Sequence, residues 1–186
     1  MTTVARTTPY PWPWDGRFDP ARTALVAVAP RPGGERGPAP GLWTVVRETA
    51  VRLRESGGVV AAVTTAPPGR AGIGDPEPSG LLGLVEVDAD FAAAGVDGFY
   101  GSPLDGWLRW LGRDQLLLCG AWLETGVHST MRSANDRGYE CLLMLDACEA
   151  WDPALLASSR SQIEMSGGIF GAVGSQADVH AALASS

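Results

Sequence analysis

Apolar residues in this chain fall into short β-branched or leucine-rich runs that alternate with stretches repeating at helical spacing. That alternation predicts a parallel sheet with helices packed on its faces. Residues 24–29 (ALVAVA) make the first strand. Leu42, Val45, Val46, Thr49, Ala50 and Leu53 share one stripe of an amphipathic helix, which stops where Gly57 and Gly58 supply a C-cap. Residues 59–64 form the second strand, and the prolines and glycines of 65–80 call for a surface loop. A weaker strand is expected within 84–91. Pro103 opens the next helix, with Leu104, Trp107, Leu108 and Leu111 inward and a stop near Gly112. Residues 115–119 form a strand buried on both faces. A helix from about Thr125 buries Val127, Thr130, Met131 and Ala134 and ends at Gly138, ahead of a strand over 140–145. Asp152 and Pro153 pair as N-cap and first turn, 169–173 supply the last strand, and Ser175 caps a short final helix. The expected fold is a three-layer α/β/α sandwich around a mostly parallel sheet of about six strands.

Composition narrows the function classes. The 186 residues suffice for one hydrophobic core, so 23–186 are expected to form a single domain. Residues 1–22, with Pro9, Pro11, Pro13, Pro20, Trp12 and Trp14, precede it as a proline- and tryptophan-rich arm. A formal charge of −7 works against nucleic acid and anionic lipid as partners. No run reaches the length of a membrane span, and the arm lacks the features of a secretory leader. Three cysteines without framework spacing suit a reducing, cytoplasmic setting. Cys119 and Cys141 lie in strand runs and are expected to pack rather than react, while Cys148 follows a strand end. No cofactor is expected, because neither a G-x-G-x-x-G motif after the first strand nor a P-loop lysine is present. With His128 and His180 the only histidines, and no cysteine pair at ligand spacing, no metal site is expected either. The chain contains no lysine at all; its 14 basic residues are all arginine.

Several ordered motifs carry a resemblance. Phe99-Tyr100-Gly101-Ser102-Pro103-Leu104, Leu116-Leu117-Leu118-Cys119-Gly120, Glu124-Thr125-Gly126-Val127-His128-Ser129-Thr130 and Asp136-Arg137-Gly138-Tyr139 resemble the isochorismatase-like cysteine hydrolases. Asp146-Ala147-Cys148-Glu149-Ala150, Gly167-Gly168-Ile169-Phe170-Gly171-Ala172-Val173 and the arm's Pro9-Tyr10-Pro11-Trp12-Pro13-Trp14-Asp15-Gly16 are similar to the ureidoacrylate and biuret amidohydrolase branch. The resemblance implies the isochorismatase-like fold. It also implies a mechanism in which an aspartate at the end of the first strand, a lysine before F-x-G-S/T and a cysteine at a helix start cooperate on an amide carbonyl. The positions matching that triad are Ala29, Ala93 and Gly126. Hydrolysis by the family's mechanism is therefore not expected. Members of the family commonly carry a non-proline cis peptide before this helix, expected here near Trp122-Leu123.

Exchange of three functional side chains for Ala29, Ala93 and Gly126 has two readings. In one, the cavity is enlarged and made less polar, with Phe99, Tyr100, Trp122, Leu123 and Phe170 as its walls around Gly126. In the other, small residues mark drift after loss of activity. His128, one turn into the helix, either packs that helix or serves as an acid or base. Glu124 is expected to accept N–H bonds at the helix start, and Asp97 to fix a turn; a catalytic role for each is the alternative. Two functions follow. The first is a small-molecule site repurposed for binding, or for non-covalent cyclase, isomerase or lyase chemistry in secondary metabolism, in a homo-oligomer (dimer or tetramer). The second is a pseudoenzyme subunit or regulator in a hetero-oligomer with an intact relative. An amidohydrolase with an unforeseen nucleophile is the third.

Overall fold

The computed structural model describes residues 3–32, 36–66, 81 and 84–185. The strands are β1 (Thr23–Pro30), β2 (Val59–Thr65), β3 (Ala89–Ala92), β4 (Gln115–Ala121), β5 (Glu140–Glu149) and β6 (Ala172–Gly174). Between them run α1 (Pro40–Glu55), α2 (Leu104–Trp110), α3 (His128–Asp136) and α4 (Leu156–Glu164), and α5 (Gln176–Leu183) closes the chain. All strand pairs are parallel, and the sheet order is β3-β2-β1-β4-β5-β6.

Alternation along each strand sorts the side chains into two cores. Leu25, Ala27, Ala29, Val60 and Ala62 meet α1 and α5, which contribute Val46, Leu53, Val179 and Leu183. Ala24, Val26, Val28, Ala61 and Val63 meet the other face, where α2, α3 and α4 bring Leu104, Leu108, Met131, Ala134 and Ile163. A strand buried on both sides has no polar positions to spare, which is why β1 and β4 are apolar without a period. Among the described residues no helix is long and apolar enough to cross a membrane.

The order of strands matters for function. The helix after β1 packs on one face, and the helix after β4 packs on the other. Neighbouring strands whose connections leave in opposite directions open a crevice at their carboxyl ends, where ligands bind in open α/β sheets. Here that reversal of connections falls between the ends of β1 and β4, at Ala29-Pro30 and Gly120-Ala121. Gly120 is required by this pairing: its φ is +115°, and a Cβ would stand 2.0 Å from the Val28 carbonyl oxygen.

Four expectations move. The weak strand placed within 84–91 is the four-residue β3, shifted to 89–92, since exposed Leu84 contributes nothing to the sheet. The last strand begins at Ala172 rather than 169, and Ile169 is 72% exposed. β5 runs to Glu149 instead of 145, because a bulge lets Gly120 pair with Cys148 and turns Asp146 outward. There the Asp146 carboxylate accepts the Gln176 N–H at 2.8 and 3.1 Å and so anchors the start of α5. Finally, α3 starts at His128, preceded by a wide π-type turn, Leu123–Val127. Of the loop expected over 65–80, everything from 67 onward lies outside the described residues.

The arm is packed along the sheet. Thr8 exchanges two backbone hydrogen bonds with Val173 of β6, Tyr10 donates its phenol to Glu140, and Trp12 is fully buried against Phe18. Arg6 forms an ion pair with buried Asp178 of α5. Trp12→Ala is expected to cost about 3–5 kcal/mol of stability, read from urea unfolding, the usual loss for a large aromatic removed from a core. A variant that unfolds at the parent's midpoint would show the arm to be dispensable.

Candidate functional site

Three strand ends and one turn build the crevice. At the end of β1, Ala29 is buried, and its register partner on β2 is Thr64. The Thr64 hydroxyl is buried without a hydrogen-bond partner. Desolvating a hydroxyl unpaired is costly, so this one is a candidate to meet a ligand. The next residue, Thr65, points to the opposite face and donates weakly to the Ala29 carbonyl at 3.4 Å.

The turn after β4 opens with a cis peptide at Ala121-Trp122, one bond earlier than expected. The Trp122 carbonyl then accepts from the N–H groups of Thr125 and Val127, which sets the wide turn. This winding carries Gly126 against the strands. A Cβ on Gly126 would lie 2.7 Å from the Thr65 hydroxyl oxygen and 3.1 Å from a Val28 methyl. The expected enlargement of the cavity is therefore corrected at this point: the space a side chain would take is filled by β1 and β2.

Thr130 ties the turn to the preceding loop. Its hydroxyl donates to the Gly126 carbonyl at 2.7 Å and accepts the Gly98 N–H at 2.9 Å. Asp97 accepts the Phe99 N–H at 2.9 Å, so it fixes this loop as anticipated. Ala93, just past β3, is buried, and its N–H donates to the Thr64 carbonyl.

The proposed walls do not form one surface. Phe99 is buried in a stack on Tyr139, beneath the Arg137 guanidinium. Tyr100 is 63% exposed, and its ring passes over Gly95. Phe170 packs edge-on to His128 with Arg132 above it. Trp122 and Leu123 stay beside Gly126 in the chain but point into opposite cores.

His128 packs its helix. Its Nε2 accepts from the Arg132 Nε at 3.2 Å, and burial together with the Arg132 charge holds its pKa below the ordinary value. The neutral form with the proton on Nδ1 satisfies that bond. Glu124 does accept N–H bonds at a helix entry, but not at its own. Its carboxylate takes the N–H groups of Trp151 and Asp152, at 2.9 and 3.1 Å, where the chain turns into the 3-10 segment Pro153–Leu155 ahead of α4.

Sequence patterning missed a second cluster at the same end of the sheet. The Trp122 and Trp151 rings meet edge to face at 4.9 Å, and the Arg36 guanidinium sits 5.0 and 5.7 Å from their centroids. Arg36 also donates to the Trp151 carbonyl at 2.7 Å and to Glu149 at 3.1 Å. Arg36 lies outside every motif quoted above, and Trp151 lies 29 positions from Trp122, so no local spacing links them. Among the described residues no group of three or more His, Cys, Asp and Glu could hold a metal ion. The thiols of Cys119, Cys141 and Cys148 are pushed upward in pKa by burial, which favours the protonated form.

Comparison with known proteins places this geometry among relatives. The isochorismatase domain model matches residues 33–176. A curated relative, the uncharacterized isochorismatase family protein YecD of Escherichia coli O157:H7, is 36% identical over 69 residues, 37% of each chain. The match thus spans little more than a third of that relative. An isochorismatase family protein from Burkholderia thailandensis superposes with a TM-score of 0.72 at 26% identity, covering 90% of this chain and 97% of that one. A cysteine hydrolase from Pseudomonas syringae pv. phaseolicola gives 0.73 at 19%, covering 90% and 95%. The nicotinamidase of Staphylococcus aureus gives 0.64 at 16%, covering 82% and 98%.

Two outcomes are expected from this geometry. Gly126→Cys should destabilise by about 1–3 kcal/mol through overpacking, and Thr65→Ala should relieve part of that cost; a double-mutant cycle in urea measures the coupling. Additive effects would mean that Thr65 does not fill the site. Because burial and the Arg132 charge hold the folded His128 below the ordinary histidine pKa, the unfolded chain takes up the proton first. Its contribution is full above about pH 6.5 and declines as pH falls toward the folded value. His128→Gln should flatten the loss of stability as pH falls below about 6.5, and an unchanged slope would contradict the assignment.

Proposed function

Because the chain belongs to the isochorismatase family, we propose that it uses the family's crevice as a non-hydrolytic small-molecule site. The molecule is bound, or converted by a cyclase, isomerase or lyase step, without a covalent enzyme intermediate. The observation that carries this reading is the position of Gly126. It occupies the turn where the family places its cysteine, and a side chain added there would press against the Thr65 hydroxyl and a Val28 methyl. Ala29 and Ala93 at the other two matching positions offer neither base nor ammonium. Cys119 and Cys141 are buried and Cys148 is half-buried, and burial pushes all three thiols upward in pKa, away from the thiolate a nucleophile needs.

What remains suits recognition. The partnerless Thr64 hydroxyl, next to Ala29 in register, is a donor and acceptor available to a ligand. The cis peptide Ala121-Trp122 opens the turn at the end of β4, and Trp122 belongs to the same core as Ala29. Relatives of this fold include a nicotinamidase and an N-carbamoylsarcosine amidase, whose named chemistry is hydrolytic. The replacements at 29, 93 and 126 separate this chain from that chemistry.

A second reading, a pseudoenzyme subunit, is favoured by one observation. Trp151, Leu155, Leu156, Met165 and Ile169, all exposed, concentrate apolar surface around α4. Native mass spectrometry of the protein drawn from its producing cells separates the two. A stoichiometric small ligand on a homo-oligomer is the expected result, and Trp122→Ala should weaken its retention at least tenfold. A complex with a homologous chain bearing the Asp, Lys and Cys would replace the pocket reading with the subunit reading. Turnover of ureides or amides above background would overturn both.

A further inference from the structure

The Arg36 cluster has the composition of a recognition site for an organic cation. Its two indoles stand nearly perpendicular, at 89°, and so form two walls of a corner. A carboxylate, Glu149, and a backbone carbonyl, that of Trp151, supply acceptors within the corner. The second Glu149 oxygen takes the Ala39 N–H at 2.7 Å, which holds the carboxylate in position at the start of α1. Glu124 fixes the far side by gripping the Trp151 and Asp152 N–H groups. The corner is thus fixed by contacts that do not involve Arg36.

What fills the corner is a guanidinium from the chain itself. It meets two aromatic rings, a carboxylate and a carbonyl at once, the contacts a free guanidinium-bearing molecule would seek. Yet the Arg36 side chain is 45% exposed and Trp151 is 46% exposed, so this occupant sits at a mouth that solvent reaches. A half-exposed arginine held by contacts of this kind can exchange with solute at a modest cost in order. Without it, Glu149 would remain as an unneutralised anion beside two π faces.

We propose that the corner formed by Trp122, Trp151 and Glu149 is a binding site for small guanidinium-bearing molecules, and that Arg36 is its internal, displaceable occupant. This goes beyond the reading of the Gly126 crevice and does not depend on any molecule being held there. A tethered group competes at an effective concentration in about the millimolar range, so the parent protein binds the free cation weakly. Displacement would move Arg36, which lies four residues ahead of α1, and open the approach to Trp122.

The test uses N-methylguanidinium chloride titrated into the full chain at constant ionic strength, read by tryptophan fluorescence and by indole N–H shifts in NMR. Arg36→Ala is expected to give a saturable response at concentrations at least tenfold lower than the parent. Adding Trp151→Leu or Glu149→Gln to that variant should raise the half-saturation point at least tenfold. N-methylurea, a neutral counterpart of similar shape, should give no saturable response. Should Arg36→Ala not fold, judged by circular dichroism, Arg36→Gln keeps a donor for the Trp151 carbonyl and carries the same titration. A folded Arg36 variant without a saturable response would overturn the proposal. So would equal responses to the cation and the urea. Because the probe is added to purified protein, this outcome is independent of whether a molecule is found in the Gly126 crevice.

Discussion

The pairing of β1 with β4 is the constraint from which the rest of the molecule follows. These two strands are buried on both faces, and their backbones come so close at Val28 and Gly120 that a single added carbon could not be accommodated. From this seam the chain leaves toward opposite faces, into α1 after β1 and into α3 after β4. The wide turn and the Trp122–Trp151 contact both stand where that divergence occurs. A change that weakened the seam would therefore alter core and site together. Since ligand chemistry in open α/β folds concentrates where connections reverse direction, the position of the site is a property of the topology before it is a property of any side chain.

How much of this could be read from the sequence depended on whether the signal was local. β1, β2 and β4 were legible because strands buried on both faces produce uninterrupted apolar runs. β5 was only half legible: its bulge places Asp146 in solvent, and the polar residue looks like the end of a strand. β6 is short because it pairs only with Leu142, Leu143 and Met144, and nothing in the GGIFGAV run marks where that pairing starts. At the site, Trp122, Gly126 and Glu124 could be found because they belong to one contiguous motif. Thr65 could not, because its importance is that it occupies the volume in front of Gly126, a contact between residues 61 positions apart. Arg36 and Trp151 were hidden for the same reason.

The exclusive use of arginine gives these long-range contacts a common character. A guanidinium is flat, keeps its charge and can lie on an aromatic face while its edge donates hydrogen bonds. Arg36, Arg109, Arg132 and Arg137 all stand over aromatic rings, and Arg22 grips Asp114 through two nitrogens. A lysine ammonium could match the charge of each contact but not the stacking. The same habit that leaves the chain without a lysine supplies much of its tertiary cross-bracing.

The arm bears on how the molecule coexists with copies of itself. A parallel sheet of six strands ends in two open rows of backbone donors and acceptors, and such rows recruit strands from other chains. At one margin Thr8 occupies Val173 by two hydrogen bonds, so β6 offers its neighbours fewer free groups at that point. At the other margin β3 is only four residues long. One edge is covered by a piece of the chain's own beginning and the other is kept short, two different solutions to the same hazard. The proline-rich segment that reads as an accessory to the domain thus takes up backbone groups of an edge strand that would otherwise be open to another chain.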